Sequence, residues 1–142
     1  MKDTSYYQEL IKAMGAWMDS EDQIIKDAVY MKIEADSPFV KIAMEMLIHD
    51  AEKHKIIQQM VIDNLTKESV HLAPDEFAPI EEVVKRHILE ESESLMHVMT
   101  TFEKREPKIT RYLLSYLGAD EAKHRELVGK LNELKLATTQ MS

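Results

Sequence analysis

A chain of 142 residues with 44% hydrophobic and 31% charged side chains, three glycines and four prolines has room for one packed domain. That composition suits long amphipathic helices and excludes turn-rich sheets and a disordered chain. A formal charge of −8 without a Lys/Arg cluster argues against nucleic-acid binding, and the absence of cysteine excludes disulfides, thiol catalysis and iron–sulfur clusters, so metal chemistry here must use Glu, Asp and His.

The first helix is expected over about 5–35, where Leu10, Met14, Met18, Ile25, Ala28 and Met31 recur at helical spacing. Residues 1–17 carry Lys2, Asp3, Glu9 and Lys12, which interrupt any signal-peptide core; no segment has the length of a membrane span, so the expected compartment is the cytoplasm. Ser37-Pro38 is a restart signal, an N-cap followed by proline at the first helical position. The second helix is expected over about 38–65, with Val40, Ala43, Leu47, His54, Ile57 and Val61 on one face. Periodicity then lapses over 66–79, which holds Pro74 and Pro79 and marks the one substantial connector. A third helix over about 80–105 shows Val84, Ile88, Leu95, Val98 and Phe102; Pro107 resets the chain, and a fourth over about 107–136 carries Leu113, Leu117, His124, Leu127, Leu131 and Leu134.

The two halves look related. A shift of 70 positions lays Met14 on Val84, Met18 on Ile88, Ile25 on Leu95, Glu21 on Glu91 and His54 on His124. It also aligns Asp50-Ala51-Glu52-Lys53-His54 with Asp120-Glu121-Ala122-Lys123-His124. The expected architecture is therefore an all-α, antiparallel four-helix bundle of two pseudo-repeated hairpins, one domain spanning 1–142.

Glu21 and Glu91 each interrupt an apolar face, and a buried carboxylate needs a cation, a proton or a metal beside it. Glu21 and Glu91 each lie about 15 residues before their turn, and His54 and His124 about 18 after it. At ~1.5 Å per residue this puts all four near mid-bundle, at similar depth. Glu121 and His124 share a helical face three residues apart, so an oxygen and a nitrogen can take one ion.

With these residues in place the chain resembles the ferritin-like di-iron carboxylate proteins, and among them the rubrerythrin-like branch, over about residues 5–136. That family uses one Glu from each of two helices and a Glu-x-x-His from each of the other two. The resemblance implies metal ligation by Glu21, His54, Glu91, Glu121 and His124, and a connector that crosses from the second helix to the third. It departs at Ala51, three before His54, where the pattern calls for glutamate; Asp50, four before His54, is a candidate substitute, and His87, one turn before Glu91, is a candidate added nitrogen ligand. The implied activity is that of a non-haem iron protein, with manganese an alternative, reacting Fe(II) with dioxygen or peroxide as a ferroxidase or peroxidase-type oxidoreductase. Lacking a cysteine-ligated module, it would draw on an external reductant, and a homodimer or small homo-oligomer is expected. The competing expectation is a degenerate, non-catalytic bundle acting in metal binding or protein interaction.

Overall fold

The computed structural model describes residues 4–67, 74–101 and 107–140. They form four helices: α1 (Thr4–Glu34), α2 (Pro38–Thr66), α3 (Pro74–Thr101) and α4 (Lys108–Gln140). No strand occurs among the described residues, and none of their helices is long and apolar enough to cross a membrane.

Local signals set the first turn. The Ala35 N–H donates to the Met31 carbonyl at 2.9 Å, and the chain then extends at Ser37, with φ −71° and ψ 124°. Ser37 Oγ accepts the Val40 N–H at 3.5 Å, and Pro38 sits where a missing N–H costs nothing. Because that capping bond is long, Ser37→Ala is expected to cost only about 0.5 kcal/mol, read as a small drop in the denaturant midpoint at unchanged slope. Across the same turn Lys32 pairs with Glu45, and its hydrogen bond and charge hold the Glu45 carboxyl below its usual value.

α3 spans Pro74–Thr101, so it is already helical at Pro74 and not only from about residue 80. Pro74 occupies the first helical position, where an N–H has no intrahelical acceptor, and Pro79 forgoes a single i→i−4 bond inside the helix. Two prolines that look like a loop in sequence are thus both accommodated in one helix start. Residues 68–73 of the connector, and Phe102 and Glu106 near the expected second turn, lie outside the described residues. α4 continues past the expected end at 136 to Gln140.

The chain divides into two compact units, Met1–Val70 and His71–Ser142. In the first, α1 packs on α2; in the second, α3 packs on α4. The buried apolar residues of the first hairpin are Ala28, Ile48 and Ala51, and small side chains such as Ala28 and Ala51 let two helices approach closely.

The rotational phase of α2 and α4 differs from the sequence expectation. Leu47 and Ile57 are exposed, while Ile48, Ala51 and Gln58 are buried. In α4, Leu117 and Leu127 are exposed and Glu121 is buried. Met31 of α1 is also exposed. The buried stripe therefore lies about one residue round from the expected seam. Apolar residues at adjacent positions, such as Leu47 and Ile48, leave the phase open, and the closest-fitting pair of faces decides it.

Candidate metal centre

Glu21 projects from α1 into the first hairpin and is 3% exposed; its Oε1 lies 3.2 Å from His54 Nδ1 on α2. A carboxylate so deeply buried needs a partner, and the imidazole 33 residues on supplies it. In the second hairpin the same two positions meet again. Glu91 Oε2 lies 2.8 Å from His124 Nδ1, also 33 residues on.

The second hairpin adds two polar partners. Glu91 Oε1, the oxygen not used by His124, lies 2.9 Å from His87 Nε2. Glu121 is 5% exposed and its Oε1 accepts a 2.7 Å hydrogen bond from Ser92 Oγ. One donor atom from each of Glu91, Glu121 and His124 falls within 4.8 Å of the others, the one such group of three among the described residues. These residues border a cleft of about 510 Å³ between α3 and α4 whose apolar wall includes Val98, Leu114 and Leu117.

The donor set fits a divalent ion in span and charge. Metal–ligand distances of about 2.0–2.2 Å put opposite donors roughly 4.2 Å apart, and donors that all lie within 4.8 Å of one another are close to that span. Two carboxylates neutralise two positive charges, and an imidazole adds a borderline donor, a set suited to Fe(II), Mn(II) or Zn(II).

The Glu91 carboxyl is held below its ordinary value of 4.5, first by the hydrogen bond with His124, then by one shared with Glu121 and by the charges of His87 and His124, against partial burial, which raises it. A carboxyl depressed on folding stabilises the hairpin above its unfolded value, and that contribution is lost as pH falls through the lower folded value. Thermal unfolding followed from pH 7 down to about pH 3 is therefore expected to show an acid limb that flattens in Glu91→Gln; an unchanged limb would assign it to other carboxylates.

Of the expected ligands, Glu21 and His54 come together in one hairpin, and Glu91, Glu121 and His124 in the other. Asp50 pairs with Lys53 at 3.5 Å and is not in the three-donor group. His87 is 65% exposed and engages the far oxygen of Glu91, which makes it a positioning residue for that carboxylate and not a member of the three-donor group. Ser92 escapes the sequence reading because a serine beside Glu91 carries no signal unless the helix phase is known. Gln58 escapes for the same reason: it is 3% exposed, and neither its Oε1 nor its Nε2 has a hydrogen-bond partner.

Fold and site together define an all-helical protein with a carboxylate–imidazole group seated between two helices of a hairpin. Comparisons with protein-family models, curated proteins and solved structures yield no match.

Proposed function

We propose that this is a metal-binding helical protein of ferritin-like type, in which Glu91, Glu121 and His124 hold iron, or manganese in its place, and the metal reacts with dioxygen or peroxide. The reading is carried by one observation: a deeply buried glutamate, Glu121, shares a 4.8 Å donor group with a second carboxylate and an imidazole. The repeat of the pattern in each hairpin, with Glu21 and His54 paired as Glu91 and His124 are, supports the ferritin-like resemblance.

Bound iron would supply one-electron chemistry toward the oxidant. The chain's own contribution is charge and orientation. Glu91 and Glu121 balance the ion; Ser92 fixes Glu121 through Oε1, and His87 restrains Glu91 through Oε1. Val98, Leu114 and Leu117 give the cleft beside the group an apolar wall. With no cysteine to ligate an electron-transfer cluster, turnover requires an external reductant. A cytoplasmic homodimer or small homo-oligomer is part of the same proposal.

The alternative is a non-catalytic bundle that binds metal or a protein partner. Ala51, which stands where a fourth carboxylate would complete the ferritin-like pattern, favours it. Aerobic addition of Fe(II), followed by absorbance, separates the two. Prompt oxidation beyond one equivalent supports the enzyme; binding without oxidation supports the alternative in its metal-binding form; no binding sinks both metal readings and leaves only a partner-binding bundle.

A further inference from the structure

The two hairpins invite an internal comparison. In each, a glutamate of the first helix meets Nδ1 of a histidine 33 residues on, at 3.2 Å for Glu21 with His54 and 2.8 Å for Glu91 with His124. Three residues before each histidine, on the face turned inward, stands a buried residue: Ala51 at 2% exposure and Glu121 at 5%. Both residues are buried and stand at the same sequence offset from the histidine of their pair. One bears a carboxylate and the other is a bare methyl.

The consequence is electrostatic. In the second hairpin, two carboxylates and an imidazole match the charge of a divalent ion. In the first, one carboxylate and one imidazole leave an ion half neutralised, and no group of three donors forms there among the described residues. The Glu21–His54 contact already satisfies the buried carboxylate as a pair. Asp50 pairs with Lys53 at 3.5 Å and Glu52 is exposed beside His49 at 4.0 Å, and neither enters a three-donor group among the described residues.

We infer that each chain takes a single divalent ion, bound through the second hairpin, and that Ala51 is the residue that withholds a second one. The inference rests on the metal-binding reading above and adds to it the count and its cause. By analogy with Glu121 and Ser92, a glutamate at position 51 would face Glu21 and Asp22; the residue corresponding to Asp22 in the second hairpin, Ser92, is a donor and not an acid. Ala51→Glu therefore introduces carboxylate repulsion that a cation relieves.

The test is titration of the full chain with Mn(II), counting free ion by its electron paramagnetic resonance signal and stability by thermal unfolding. The wild type is expected to bind one ion per chain and Glu121→Ala none. Ala51→Glu is expected to bind two, to melt below the wild type without metal and to recover with it. Should Ala51→Glu not fold, Ala51→Asp and the loss of the single ion in Glu121→Ala carry the test. Two ions on the wild type, half an ion per chain, or a folded Ala51→Glu still holding one, would overturn the count while leaving metal binding intact. No binding by the wild type would instead sink the metal reading itself.

Discussion

Glu121→Ala is expected to lower divalent-metal affinity by at least about 100-fold. Removing a residue that merely supports a ligand costs roughly 10- to 100-fold, and Glu121 supplies a donor oxygen directly. Glu121→Gln separates charge from shape: the amide oxygen can keep the 2.7 Å bond from Ser92, but the negative charge is gone. Both substitutions should therefore weaken Mn(II) binding, with the alanine variant the more affected. Without metal the effect on folding should not follow suit, because the uncharged Gln amide can donate to Glu91 the hydrogen bond that Glu121 shares with it. Apo Glu121→Gln is expected to melt at or above the wild type. An apo variant that melts well below it would show that the carboxylate is needed for packing alone and would weaken its assignment as a ligand.

Gln58 leads to an expectation of the reverse kind, a substitution that stabilises. A buried amide with neither atom hydrogen-bonded loses its interactions with water and gains none in return. Replacing it with an apolar side chain of similar length, Gln58→Met or Gln58→Leu, removes that cost, worth ~1–3 kcal/mol, and should raise Tm by roughly 3–10 °C for a domain of this size. The neighbouring pair serves as a control. Glu21→Ala breaks the contact with His54 and empties a buried position, so it should lower Tm. If Gln58→Met instead destabilises the fold, the amide is paired in solution, and a search for its partner by nuclear magnetic resonance would begin from that residue.

The partners of the site residues were legible in the sequence to the extent that they depend on distance along a helix. Counting about 15 residues before a turn and 18 after it puts Glu21 level with His54, and Glu91 level with His124, and those pairs meet at 3.2 and 2.8 Å. Ser37-Pro38 marks the start of α2 because capping is chemistry confined to four residues. Pro74 and Pro79 misled the placement of α3, since a proline in sequence reads the same whether it ends a loop or opens a helix.

What the sequence alone determined is an all-helical chain, its turn at Ser37, and the axial level at which acids and imidazoles face one another. These follow from backbone hydrogen bonding, which sets a constant rise per residue whatever the helix packs against. Only the tertiary structure decided the rotation of each helix. That rotation made Ala51, Gln58 and Glu121 the deep positions, exposed Leu47 and Leu117, and turned Ser92 onto Glu121. Rotation is settled by which faces fit most closely, and adjacent apolar residues such as Leu47 and Ile48 satisfy the pattern equally well until a second helix packs against one of them.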